Sequence, residues 1–204
     1  MSDWSAGAAR VLFPVPVGTP MAGYAARTGP STGTIDTLTI GALVLQDGAA
    51  RFVLIAADLA AVDRSLVDEV ASAAGLKRSE LVICASHTHS GPAGVIARLH
   101  PADVDQLDPE LRADFVVRCV RAIELAHERA EPAELLFGQA ESQGLAANRN
   151  EPDGPFDSRV SVLATRNDAG QFTAMLVHVA CHPTILGAAS RVISAEFPGA
   201  LRAT

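Results

Sequence analysis

Three apolar runs, each ending in a residue with useful chemistry, constrain this chain most. Phe52-Val53-Leu54-Ile55 leads to Asp58, Leu81-Val82-Ile83 leads to His87-Thr88-His89, and Met175 through Ala180 leads to His182. Short runs rich in Val, Ile and Leu read as buried strands. In open α/β sheets, ligands bind beyond the carboxyl ends of the strands. With the three strands in parallel, Asp58, His87, His89 and His182 are expected at one edge of a sheet.

The segments between these runs carry their own local signals. Residues 10–33 are rich in Pro and Gly and read as a long irregular segment. Residues 38–46 and 51–57 read as a strand pair with Asp47-Gly48 at the turn. Asp63 is placed to cap a helix over about 64–74, with Leu66, Val67, Val70, Ala71 and Ala74 on one apolar face and Gly75 at its end. Asp108-Pro109-Glu110 opens a second, longer helix, along which Leu111, Phe115, Cys119, Ala122 and Ala126 recur on one side. Another strand is expected over 134–142, a polar loop over 144–157, and a hairpin of 159–166 with 172–181 turning at Asn167-Asp168-Ala169-Gly170. Ser194 is the expected cap of a last helix. Interleaved strands and helices predict α/β: a layered mixed β-sheet with flanking helices and two β-hairpins, in one domain spanning 1–204.

Composition narrows the function classes. The chain is 49% hydrophobic and 19% charged, which supplies a globular core. A net charge of −7 offers no basic surface for phosphates, so no nucleic-acid partner is expected. No stretch reaches the length of a transmembrane segment. The start, Met1-Ser2-Asp3-Trp4-Ser5, lacks the basic and apolar regions of a secretory signal. Cys84, Cys119 and Cys181 form an odd set without a CxxC, which fits a reducing compartment. The expected localisation is cytoplasmic.

The His-x-His pair has a physical use. Residues two apart in extended chain point to the same side, so His87 and His89 can face one site and His182 can join them. Neutral imidazole is a good zinc ligand, and a catalytic zinc takes three or more protein ligands plus a water. A polar loop with two surface histidines is the plain alternative.

The full strings are more specific than the spacing. Ser86-His87-Thr88-His89-Ser90-Gly91-Pro92 and Ala180-Cys181-His182-Pro183-Thr184 resemble the two histidine motifs of the neutral/alkaline non-lysosomal ceramidases. In order along the chain, Gly18-Thr19-Pro20-Met21-Ala22-Gly23-Tyr24-Ala25 resembles the family's early Gly-Tyr-Ala loop, Ala56-Ala57-Asp58 its strand-end aspartate and Asn148-Arg149 its Asn-Arg element. Ser194-Ala195-Glu196-Phe197-Pro198-Gly199 resembles its turn into the helix after the second histidine motif.

The resemblance implies zinc as cofactor, His87 and His182 as its ligands, His89 as the acid/base or substrate-contacting group, and Arg149 holding the substrate near the reacting carbonyl. It implies hydrolysis of an N-acyl amide bond: ceramide to sphingoid base and fatty acid, or a related lipid-like substrate. Asp58 is read as a carboxylate orienting a ligand histidine. The family completes its zinc site with a glutamate and a tyrosine from much farther along. The chain stops at Thr204 before such residues, so it is expected to be an incomplete N-terminal part of the catalytic domain. A downstream segment or a second subunit would complete the site. Two alternatives stand beside this: a non-catalytic metal-binding or interaction module retaining the fold, and a metal-free thiol hydrolase using Cys181 beside His182.

Other histidines carry plainer readings. His178 lies four strand steps before His182, about 13 Å away at ~3.3 Å per residue, too far to share one ion. His127 is expected near a helix C-terminus, where a positive charge is favourable. His100 sits in a loop without a partner in sight. Cys84 and Cys181 read as small packed residues rather than nucleophiles.

Overall fold

The computed structural model describes residues 4–99, 106–151 and 153–203. In chain order its elements are β1 (Trp4–Phe13), β2 (Gly33–Thr34), β3 (Leu38–Asp47), β4 (Ala50–Ala57), α1 (Arg64–Ala73), β5 (Leu81–Ala85), α2 (Pro109–Glu128), β6 (Glu131–Glu141), β7 (Arg159–Asn167), β8 (Phe172–Val179), β9 (Val192–Ile193) and α3 (Glu196–Ala203). The main sheet has seven strands in the order β5-β4-β3-β1-β6-β7-β8, and β2 pairs with β9 apart from it. The β4–β5 pair is parallel and the other pairs in the main sheet are antiparallel, so the fold is mixed α/β as expected.

Strand alternation sorts side chains into two cores. On β3, Leu38, Ile40, Ala42 and Val44 face one side, and Leu43 and Leu45 the other. On β1, Ala9, Val11 and Phe13 join the first core, while Trp4, Ala6 and Ala8 join the second. The first core is closed by helices: α1 contributes Leu66, Val67 and Val70, and α2 contributes Phe115, Cys119, Ala122 and Ala126. Phe13 and Phe115, both fully buried, meet edge to face with ring centroids 5.4 Å apart. The second core is closed by Ala133 and Leu135 of β6, Leu163 of β7 and Ala174 of β8.

The sheet therefore turns back on itself. β1 and β6 pair only through Ser5–Pro132 and Ala6–Glu131, and beyond that narrow junction the β6-β7-β8 portion lies over the face opposite the helices. β8, at the far end of the strand order, comes back against β1.

Local signals place most elements where expected. Asp63 caps α1, accepting from the Leu66 amide at 2.8 Å, and Gly75 follows with a φ of 64°. Asp108 caps α2, accepting from the Glu110 and Leu111 amides at 3.0 Å. The β3–β4 turn uses two residues, Gly48 and Ala49, between the paired Asp47 and Ala50.

The irregular segment expected over 10–33 begins only after Phe13, because Arg10–Phe13 complete β1. Ala and Gly dominate the first half of that strand and have low strand propensity, so pairing with β3 over its whole length determines its conformation. β6 starts earlier than expected, at Glu131, and β8 stops at Val179 rather than 181. His127 lies in the last turn of α2 as expected, and His100 lies outside the described residues. Among the described residues, no helix is long and apolar enough to cross a membrane.

Gly7 lets α2 approach β1. A Cβ there would overlap the Ala126 carbonyl oxygen and lie 2.6 Å from the Ala130 amide nitrogen, both backbone atoms. Overpacking a tight core costs about 1–3 kcal/mol, more where backbone has to move. Gly7→Ala is expected to lower unfolding stability by at least that amount in urea melts, while Gly138→Ala, with open space around it, changes it far less.

Candidate metal centre

The parallel pair β4–β5 delivers the first two histidines. Beyond β5 the Ser86 amide still bonds to the Ala57 carbonyl at 2.8 Å, and then the chain turns sharply. His87 has a φ of 63°, a left-handed conformation unusual for a residue with a side chain. The expectation that His87 and His89 converge because the chain is extended is corrected here. They converge through a turn, with their rings perpendicular and centroids 4.8 Å apart.

His182 arrives by another route than expected. By its pairings β8 runs antiparallel to β4 and β5 in the sheet order, so strand ends in parallel do not bring it in. The turned-back sheet carries the end of β8 to the His87 loop instead. The His182 ring centroid lies 4.7 Å from that of His87 and 5.6 Å from that of His89.

These three side chains each offer a nitrogen, all within 4.8 Å of one another. The Nε2 atoms of His87 and His89 are 3.3 Å apart. Two nitrogens held at ~2.0–2.1 Å on a tetrahedral zinc are separated by about 3.4 Å. The donor set and its spacing fit a divalent ion that accepts imidazole. His87 has its Nδ1 at 2.5 Å from the Ala60 carbonyl oxygen, which fixes its tautomer and turns Nε2 into the cluster.

Burial and neighbouring charge favour the neutral forms of His89 and His182. His89 is held below the usual imidazole value by burial first, then by His87, His182 and the guanidinium of Arg149. His182 is lowered by burial, then by His87 and Arg149. Unprotonated imidazoles retain the lone pairs a metal needs. Arg149 itself is exposed, in the polar loop between β6 and β7. Asn148 orders that loop by accepting from the Asn150 and Glu151 amides at 3.0 Å.

Asp58 was expected to orient a ligand histidine. Its buried Oδ2 instead accepts from the Thr39 amide at 2.8 Å, the Thr39 hydroxyl at 3.1 Å and Arg202 at 2.6 Å. It ties the end of β4 to α3, and the orienting contact on His87 comes from Ala60, two residues later. His178 is exposed on β8 opposite Ser161 and stays out of the cluster. Cys84 is exposed rather than packed. The Cys181 thiol donates to the Leu145 carbonyl at 3.4 Å, and burial raises its pKa, the opposite of nucleophile activation.

Several residues around the site were not singled out by motif spacing. Arg27 donates to the carbonyls of Ala22 at 2.6 Å, His89 at 2.7 Å and Ser190 at 2.9 Å, joining three segments. The Tyr24 ring meets His89 edge to face at 5.0 Å, and Arg27 lies over the same tyrosine. Gly23 presses against His89, where any Cβ would stand 2.6 Å from the His89 Cα. The Glu196 carboxylate is taken up by Ser90, Ile185 and Leu186. Arg27 lies two residues beyond the Gly-Tyr-Ala loop, which is the one hint the sequence carries of its place. A cavity of about 260 Å³ adjoins Tyr24 and Ala60 and is lined by Met21, Leu59, Val95 and Ile96 among others.

Comparison with known proteins places the sequence and the fold. Residues 14–201 match the family profile described as neutral/alkaline non-lysosomal ceramidase, N-terminal. The neutral ceramidase of Mycobacterium tuberculosis is 31% identical over 88% of this chain, which corresponds to 32% of that protein. The crystal structure of neutral ceramidase from Pseudomonas aeruginosa superposes with a TM-score of 0.84 at 23% identity, covering 96% of this chain and 34% of that one. A structure described as ceramidase complexed with C2 gives a TM-score of 0.83 at 23% identity, again over 96% of this chain and 34% of its own. The chain thus spans about a third of the length of the relatives it matches. With nearly its whole length inside that profile, the chain belongs to the neutral/alkaline non-lysosomal ceramidase family, of which it matches the N-terminal domain.

Proposed function

We propose that this chain supplies part of the catalytic centre of a zinc-dependent hydrolase of N-acyl amide bonds, acting on ceramide or a related N-acyl lipid. The observation that carries the reading is the meeting of His87, His89 and His182, from two sequence-distant motifs, with their ligand nitrogens within 4.8 Å. In this reading His87 and His182 hold the ion. When bound, zinc supplies Lewis acidity, lowering the pKa of a water and polarising an acyl carbonyl.

The remaining roles follow from the chain's own residues. His89 differs from His87 in that its Nδ1 is buried without a hydrogen-bond partner among the described residues. Its Nε2 faces the cluster, and its imidazole, which burial favours in the neutral form, takes a proton from the attacking water and returns it to the leaving amine. Arg149, close enough to influence both His89 and His182, binds the acyl oxygen side of the substrate. The apolar cavity beside Tyr24 suits a hydrocarbon portion of the substrate. Among the described residues, no carboxylate joins the three histidines. Further donors in this proposal come from a downstream segment or a second subunit.

Two tests address the assignment. Residues 1–204 are expected to retain zinc through dialysis, and the double variant His87→Ala, His182→Ala to lose it, measured by atomic absorption; equal zinc in parent and variant overturns the ligand assignment. In the assembled enzyme, His89→Ala is expected to keep its metal and lose ~10²–10⁴ in kcat, the usual share of general acid/base catalysis. Loss of metal in parallel with turnover would make His89 a third ligand.

A further inference from the structure

We propose that Glu196 is a positioning residue, a clasp that holds the two histidine loops in register without touching the ion. The inference rests on the metal-site reading above. The Glu196 carboxylate is buried and bridges both loops. Oε1 accepts from the Ser90 hydroxyl at 2.9 Å, one residue beyond His89. Oε2 accepts from the amides of Ile185 at 2.6 Å and Leu186 at 3.2 Å, just beyond His182. Bonds to an ionised acceptor are stronger than neutral ones. This side chain therefore ties together segments that no strand pairing joins, beside the bond from the His89 amide to the Pro183 carbonyl at 3.4 Å.

The backbone supports the same conclusion. Among the described residues, His87 and Glu196 are the non-glycine residues with positive φ, at 63° and 55°. A left-handed conformation in a residue with a side chain persists only where its surroundings over-determine it, and such residues cluster at functional sites. The surroundings here do so. Asp36 accepts from the Ser194 hydroxyl and from the Ala195 amide at 2.9 Å. Thr88, between the two histidines, donates to the Ser194 carbonyl at 2.7 Å, and the Ser194 amide bonds back to the Ser90 carbonyl at 3.0 Å. The Glu196 amide then donates to the Ser194 hydroxyl at 2.9 Å. The strained turn aims the carboxylate at the loops rather than along α3.

The chemistry of the clasp requires a carboxylate. Its oxygens face three donors: one hydroxyl and two amides. A glutamine amide in the same place offers one acceptor oxygen and turns an NH₂ group toward the remaining donors, so one loop is released.

The test uses residues 1–204 and Co²⁺, titrated by its visible absorption, with thermal melts of the metal-free protein alongside. Glu196→Gln is expected to weaken Co²⁺ binding by about 10–100-fold, as loss of groups that orient metal ligands does. It should also alter the absorption bands, whatever fall in the metal-free melting temperature accompanies the loss of the buried carboxylate. Parent-like affinity and spectrum in Glu196→Gln overturn the clasp while leaving the metal site standing. A fall in metal-free melting temperature with an unchanged spectrum makes the role merely structural and also overturns it. If Glu196→Gln does not fold, Ser90→Ala, which removes only the Oε1 donor, decides between the same outcomes, with a several-fold weakening expected. Failure of the parent to bind Co²⁺, or undiminished binding by His87→Ala, His182→Ala, overturns the metal-site reading and the clasp with it.

Discussion

The arrangement depends on a short polar turn, Ser194 to Glu196, that both histidine loops use as their anchor. Thr88 and Ser90 reach it from one loop, Ile185 and Leu186 from the other, and Asp36 holds it from the side of β3. Magnitudes show why the turn survives its own strain. A non-glycine residue in the left-handed region costs of order 1–3 kcal/mol. Hydrogen bonds to charged acceptors each contribute about 1.5–3 kcal/mol, and Glu196 accepts three of them. The clasp outweighs the strain, so the strained conformation is the stable one.

The second requirement is the turned-back sheet. A flat sheet in the order β5-β4-β3-β1-β6-β7-β8 would place the ends of β5 and β8 at opposite margins. The narrow β1–β6 junction allows the β6-β7-β8 portion to cover the second face of β1 and β3, burying Ala6, Leu43, Leu45 and Ala133. Burial of apolar surface drives that folding-over, and the approach of His182 to His87 is its consequence. The helices do the corresponding work on the other face, where Gly7 lets the end of α2 settle against β1. Asp58 joins these layers by tying β4 to α3 through Arg202, a structural contribution made beside the centre rather than in it.

Legibility in the sequence followed the range of the interaction. The caps Asp63 and Asp108 act within three residues of themselves, so α1 and α2 stood out. The β3–β4 and β7–β8 hairpins announced themselves through turn residues and β-branched runs. Neighbours in sequence carry all of that information. β1 did not stand out, because Trp4-Ser5-Ala6-Gly7-Ala8-Ala9 has little intrinsic preference for strand and becomes one only against β3. The Asp58–Arg202 contact is not legible for a related reason: a carboxylate at a strand end can serve a histidine or an arginine, and Arg202 lies at the far end of the chain.

The sequence by itself determined the class of fold, the family through its two histidine motifs, and three imidazoles as the candidate chemistry. These rest on local propensity and on strings whose residues are adjacent. The tertiary structure decided which way β8 runs relative to β5, that His87 and His89 converge through a left-handed turn, that Ala60 rather than Asp58 orients His87, and that Glu196 binds loops rather than joining the cluster. Apart from the local turn at His87, each of those outcomes is a contact between residues far apart in the chain. Such contacts are selected by how apolar faces bury and how buried polar groups find partners, and neither is written in the order of neighbouring residues.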